Sequence, residues 1–307
     1  MKKIRHKRLW IMLIIGVLYF LGVAMVLYPM VGNVYTLSSS RSAIQSYQTA
    51  VQEMDEPEIE KKLANAHTYN QELAEGTINE VAAKAINGED NIMCYVEIPS
   101  LSIYLPVYYG TSDEVLNKGC GWLENTSLPV GGLNTHSVIS GHTGLPNAEM
   151  FTKLDIIKKG AMFYIYVLND VLAYRVESIE AVTPEHTELL TIVPGKDYVT
   201  LLTCTPYGIN DKRLLVRGER VSYTKPEEKQ EVSEVSEVSA PNEADSGLSS
   251  QIRHEWTIII LIGVTSVIVF VVASVWVNLA VSKYQKQVKL AQLRERSEDN
   301  HAEKEEE

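Results

Sequence analysis

The sequence has 307 residues, a formal net charge of -11 at neutral pH and three cysteines. So acidic a chain has no electrostatic grip on a phosphate backbone, which excludes nucleic acid as the expected partner, and an odd cysteine count leaves at least one thiol unpaired. The length allows one or two soluble domains once the apolar segments near both ends are set aside.

The first of these segments follows a basic start, MKKIRHKR, at residues 1–8. Leu9–Tyr28, LWIMLIIGVLYFLGVAMVLY, carries no charge, and 20 residues at a helical rise of 1.5 Å match a hydrocarbon layer about 30 Å thick. A membrane-crossing helix is expected over 9–31. A cleaved leader is the competing reading, but the apolar run is longer than a usual leader core and VGNVYT lacks a small-x-small cleavage site.

Residues 32–91 predict a helical arm on a separate core. SSSRSAIQSYQTAVQEM opens with serines suited to capping, and EPEIEKKLANAHTYNQELAEG has a proline in an early turn and apolar residues at helical spacing. From Ile92 the pattern changes to short runs rich in Val, Ile, Thr and Tyr: MCYVEIP, YLPVYYG, HSVISGH, MFYIYVLNDVLAYRVESIEAV, DYVTLLTC and RLLVRGER. Within the fourth, LND reads as a hairpin turn, and NAEMFTKLDII reads as a short helix. Many short strands broken by turn residues predict a mainly β barrel or sandwich over 92–222.

Residues 223–255 are acidic, poor in bulky apolar side chains and repeat EVS three times, so they predict a disordered linker. Trp256–Val281 is a second uncharged crossing, and the polar tail at 282–307 begins with the basic SKYQKQVKLAQLRER. Basic residues flanking both crossings predict two cytoplasmic termini, with the segment between them on the outer face of the membrane.

Cys204 ends the run VTLLTC. A lone cysteine in a strand is commonly an inert core residue; as a nucleophile it must react as the thiolate and needs a group to take its proton. Of seven histidines, His6 and His301 lie in the tails, His67 and His186 in polar surroundings and His254 beside the membrane. His136 and His142 remain, at the two ends of HSVISGH, and the residues alone leave both open. His142 follows a glycine where the chain must turn, a common way to project a side chain into a cleft. Arg213, nine positions past the cysteine, would lie beside the thiol if the two runs are antiparallel neighbours, where a fixed cation could stabilise an oxyanion. Arg217 and Arg220 are the alternatives. Cys94 and Cys120 read as two buried thiols, with a disulfide between them as the other reading. His136, His142 and Cys204 lack the spacing of a zinc site, and NGEDN does not follow a calcium loop, so neither metal nor cofactor is expected.

TLLTCTPYG fits the TLxTC signature of sortases. The wider VTLLTCTPYGINDKRLLVRG, with TSLPVGGLNTHSVISGHTGLPNAEMFTKLD, resembles the pilus-assembling class C sortases of Gram-positive bacteria, over about Ile92 to Arg220. The resemblance implies a closed eight-stranded sortase-type β-barrel with an N-terminal helical arm, flanked by two transmembrane helices. It also implies Cys204 as nucleophile, His142 as proton carrier and Arg213 as donor to the substrate carbonyl or oxyanion. The implied reaction cuts an LPxTG-like sorting signal through a Cys204 thioester and passes the acyl group to a lysine amine of a pilin subunit. Pilin or surface proteins carrying such signals are then the partners, together with the lipid bilayer. A housekeeping-type sortase acting on peptidoglycan is the alternative within the family, and a non-catalytic surface scaffold the alternative outside it. Many class C sortases carry an Asp-Pro-aromatic lid before the barrel; ELAEGTINEVAAKAINGEDN has neither proline nor aromatic residue, so no such lid is expected here.

Overall fold

The computed structural model describes residues 2–77, 86–88, 91–223 and 243–305. The chain divides into two compact units, one formed by Met1–Leu27 with Trp256–Glu307 and the other by Tyr28–Glu255.

The first unit is helical. Helices α1 (Lys2–Glu53) and α4 (Glu243–Glu305), numbered with the single turn Asp113–Leu116 as α3, each contain a stretch long and apolar enough to cross a membrane. Side chains such as Trp10, Leu21, Met25, Leu261, Val272 and Trp276 are turned outward, a surface that hydrocarbon solvates and water does not. The two helices touch: the Tyr19 hydroxyl donates to the Ser266 carbonyl at 3.1 Å, and the Tyr19 and Phe20 rings lie 5.6 and 5.2 Å from Phe270. Both helices overrun the limits read from the sequence. Helix α1 joins the expected crossing to the first half of the arm without a break, and α4 begins inside the expected linker, of which 224–242 lie outside the described residues. Extending a formed helix adds one backbone bond per residue fixed, whereas a new helix needs a costly nucleus, so polar flanks are carried along.

The second unit is a closed barrel in the order β1-β2-β3-β4-β7-β8-β6-β5. Its strands are β1 (Ile92–Ile98), β2 (Ile103–Tyr109), β3 (Cys120–Trp122), β4 (Thr135–Ser140), β5 (Met162–Val167), β6 (Asp170–Val182), β7 (Asp197–Thr205) and β8 (Lys212–Val221). β-branched and aromatic residues fill these runs because they pack well on a pleated surface. Most pairs are antiparallel, but β2/β3 and β4/β7 are parallel. Pro106 is tolerated within β2 because β3 joins that strand only from Val107 onward. The turn read at LND is a hairpin, with Val167 paired to Asp170 across Leu168 and Asn169.

Two local expectations differ. β3 is a strand that the sequence pattern did not mark, and it begins at Cys120. NAEMFTKLDII forms only a 3-10 turn at Thr152–Ile156, since Met150 has φ 40° and the Phe151 N–H bonds the distant His142 carbonyl instead of a helical partner.

The helical arm shares the barrel's core instead of standing apart from it. Ile44, Tyr47 and Val51 of α1 and Ile59, Ala66 and Tyr69 of α2 (Glu56–Glu75) belong to one apolar cluster with Trp122, Phe163 and Tyr174. Helix α2 starts at Asp55, whose carboxylate accepts from the Glu58 N–H at 2.9 Å, and ends at Gly76 in the left-handed conformation. Buried Asn70 closes two hydrogen bonds with the Leu128 backbone, at 3.1 and 2.6 Å. The Tyr47 hydroxyl accepts from the Leu168 N–H at 2.8 Å and donates to the Met93 carbonyl at 3.1 Å, stitching the β5–β6 hairpin to β1. Each such apolar side chain, fully buried, contributes on the order of 1.5–3 kcal/mol.

Candidate active site

Strand pairing brings His142, Cys204 and Arg213 to one end of the barrel. On β7 and β8, Cys204 and Arg213 are direct cross-strand partners. The parallel β4/β7 register ends at Ser140 opposite Leu202, and the Gly141 N–H extends it by donating to the Leu202 carbonyl at 3.0 Å. Continuing that register puts His142 level with Cys204. With neighbouring strands about 4.8 Å apart, the three backbones fall within about 10 Å. All three side chains are half-buried, and Cys204 is unpaired. Among the described residues no hydrogen bond or ion pair holds the His142 ring. The Arg213 Nη1 donates to the carbonyls of Asn210 and Lys212 at 3.3 and 3.2 Å, anchoring the guanidinium beside the β7–β8 loop.

The backbone carrying His142 is fixed from β7. Thr203 is 2% exposed and points away from the Cys204 face; its Oγ1 donates to the Gly141 carbonyl at 2.7 Å and meets the Thr143 Oγ1 at 2.6 Å. From the other side, the Phe151 N–H donates to the His142 carbonyl at 3.0 Å, and the Phe151 ring packs against Gly141. A side-chain carbon at Gly141 would come within 2.7 Å of that ring, so this position needs glycine. Thr143, Phe151 and Thr203 are neighbours of the candidate site that residue-type reasoning missed. Only Thr203, inside the TLxTC signature, gave a signal.

The other histidine of the same run plays a different part. His136 is 0% exposed, with Nδ1 2.8 Å from the Thr191 carbonyl and Nε2 2.7 Å from the Thr200 Oγ1. A carbonyl only accepts, so Nδ1 carries the proton and the Thr200 hydroxyl donates to Nε2. Burial holds the imidazole below its usual pKa, with the Thr191 bond opposing and Arg217 assisting. His136 is therefore a neutral structural link.

Arg217 and Arg220 are likewise engaged elsewhere, toward the opposite end of β8. Arg217 lies 4.7 Å over the Tyr198 ring and pairs with Glu177 at 3.3 Å. Arg220 lies 5.6 Å over the Tyr174 ring and 3.9 Å from Asp197. Asp197 in turn accepts from the Gly132 N–H at 2.8 Å and the Tyr174 hydroxyl at 2.9 Å, yet burial still raises its pKa above the ordinary aspartate value.

Cys94 and Cys120 are unpaired and fully buried. Both stand opposite Val107, one on each side of β2. Two strand spacings put their backbones about 9–10 Å apart, past the roughly 7 Å a disulfide spans. Burial pushes both thiols up, which keeps them protonated and inert.

Tyr207, 65% exposed, leans over Gly144 and borders the end of the barrel where Cys204 sits. The segment in which a lid was not expected includes 78–85 and 89–90, which lie outside the described residues.

The family profile described as "Sortase domain" matches residues 96–221. Among solved structures, sortase C of Clostridium perfringens with the C-terminal cell wall sorting motif is 48% identical, covering 59% of this chain and 99% of that one at a TM-score of 0.56. A pilus-related sortase C of Group B Streptococcus is 40% identical, covering 58% and 97% at a TM-score of 0.54. Sortase A of Streptococcus agalactiae serotype III is 27% identical over 212 residues, 67% of this chain and 83% of the relative.

Proposed function

Since the chain belongs to the sortase family of cysteine transpeptidases, we propose that Cys204, His142 and Arg213 cut an LPxTG-like sorting signal and join it to a lysine of a pilin subunit. The observation that carries this reading is the strand register: Cys204 faces Arg213 on β8, and His142 follows the strand paired on the other side of β7.

The Cys204 sulfur, as thiolate, attacks the carbonyl carbon of the Thr–Gly bond. The oxygen gains negative charge as the tetrahedral centre forms, and Arg213 stabilises it. The C–N bond then breaks, with the leaving amine taking a proton from His142, and a Cys204 thioester remains. The incoming lysine amine attacks that thioester and gives its proton to His142. The thiolate departs and an isopeptide bond is formed, restoring the starting protonation of the pair.

In this reading residues 92–222 are the catalytic domain on the outer face of the membrane, held by crossings at 9–31 and 256–281 with both termini in the cytoplasm. The apolar outward faces of α1 and α4 support the anchoring.

The test incubates the full chain, in detergent, with a sorting-signal peptide and either a pilin domain or a cell-wall stem-peptide amine. The expected results are an acyl adduct on Cys204 by mass spectrometry and a conjugate with the pilin. A conjugate with the stem peptide alone would favour the housekeeping reading, which the similarity to sortase A supports. No adduct at Cys204 would overturn the thioester mechanism.

A further inference from the structure

Past Ser140 the chain runs to Met162 before it re-enters the barrel, with one 3-10 turn as its longest regular piece. This long loop carries His142 near its start, and its far side rests on α1. The Asn33 Oδ1 accepts from the Glu149 N–H at 3.1 Å, and the Thr36 hydroxyl donates to the Asn147 carbonyl at 3.4 Å. Gly32 meets Asn147 so closely that a side-chain carbon there would stand 3.0 Å from its Cα and 3.2 Å from its carbonyl oxygen. Val34 of the same turn is buried, as are Ala148 and Met150 of the loop.

The two contacts on this loop are linked through few atoms. Glu149, held by Asn33, is two residues from Phe151, whose N–H holds the His142 carbonyl and whose ring covers Gly141. The Glu149 carboxylate is engaged with Lys153 at 2.6 Å, so it is the Glu149 backbone that α1 grips.

We propose that the Gly32–Thr36 turn of α1 is a positioning element for His142. It fixes Asn147–Glu149, through them Phe151, and through Phe151 the backbone that presents the imidazole to Cys204. This rests on the reading of His142 as proton carrier. Asn33 and Thr36 touch no reacting atom and act only through the loop. A loop with little regular structure keeps its shape only where it is anchored, and Thr203 and α1 anchor this one from opposite sides. A proton carrier displaced by about 1 Å costs up to about a hundredfold in rate, so a single lost anchor has a measurable effect.

The experiment uses the full chain in detergent micelles and compares Asn33→Ala, Asn33→Asp, Thr36→Val and His142→Ala. Steady-state transfer of a sorting-signal peptide to an amine gives kcat and KM, and hydrogen exchange reads the Glu149 and Phe151 amides. Asn33→Ala should lower kcat about tenfold with KM within about twofold, and speed exchange at both amides. Asn33→Asp keeps the acceptor oxygen and should restore both, while Thr36→Val should give a smaller loss of the same kind. An Asn33→Ala chain with unchanged kcat, beside a His142→Ala chain that has lost activity, sinks the positioning role alone. A His142→Ala chain as fast as the unsubstituted one overturns the proton-carrier reading and this proposal with it. If Asn33→Ala lowers the yield of folded chain, Thr36→Val decides, since a normal kcat in that variant also overturns the proposal.

Discussion

At one end of the β7–β8 ladder Asp197, Tyr198, Arg217 and Arg220 sit among partners that satisfy them, whereas at the other end Cys204 faces Arg213 with its thiol half-buried and unpaired. The two histidines of the β4 run repeat the contrast. His136 is sealed with both ring nitrogens bonded, and His142, six residues on, has no such bonds among the described residues. Fully partnered polar groups rigidify a barrel, while half-exposed ones with spare bonding capacity are available to a substrate. Residue type does not separate these roles; the neighbours do.

The sharpest way to break the contrast is to remove the thiol. Cys204→Ala should lower transpeptidation by about a thousandfold or more without lowering Tm, because the proposed thioester route has no substitute for the sulfur. A retained rate would assign the chemistry to another group. Next in size, with Arg213 in its proposed role as oxyanion donor, Arg213→Ala should reduce kcat about a hundredfold. By contrast Arg217→Ala should leave kcat within about twofold while lowering Tm, since it strips a partner from Glu177 and Tyr198. Equal kinetic losses in both variants would dissolve the distinction between the two ends.

Thr203→Val keeps the shape but deletes the bonds to Gly141 and Thr143, and should lower kcat about tenfold by loosening the His142 segment. A rate measured per folded molecule that does not move would make Thr203 purely structural. The smallest kinetic effect belongs to His136→Ala, with kcat within about twofold and stability down by about 1–3 kcal/mol for the orphaned Thr200 hydroxyl. Its pH signature has a definite sign. The folded pKa of His136 lies below the ordinary value of about 6.5, so the unfolded chain takes up a proton that the buried ring refuses. The contribution is present above about pH 6.5 and is lost as pH falls below it. Melting curves between pH 7.5 and 5 should show a drop in Tm that is shallower in the variant; parallel slopes would contradict the buried neutral ring.

Much of the barrel was legible because its strands are runs of β-branched and aromatic residues closed by turn chemistry. β3 was not, since three residues between Gly119 and Leu123 carry too short a pattern to register, and only pairing with β2 and β4 defines them. The arm's helices were visible from spacing and capping, but their burial against β1 and the β5–β6 hairpin was not, because a helix's apolar stripe does not name what it will cover. The short helix expected at NAEMFTKLDII failed for a tertiary reason: the Phe151 N–H is drawn to His142. At the site, the nine-residue spacing made Arg213 a candidate neighbour of Cys204, and β7–β8 pairing places them side by side. The choice between His136 and His142 needed the family signature, because both have the same chemistry and only the parallel β4/β7 register gives them different surroundings.

That parallel register also dictates timing. Two parallel strands cannot be built from a hairpin, and the Gly141–Thr203 contact that aligns them spans 62 positions along the chain. Contacts of such separation form late, after the loop entropy between them has been overcome. A newly made chain therefore holds Cys204 in an unassembled setting, away from Arg213 and His142, until the last wall of the barrel shuts.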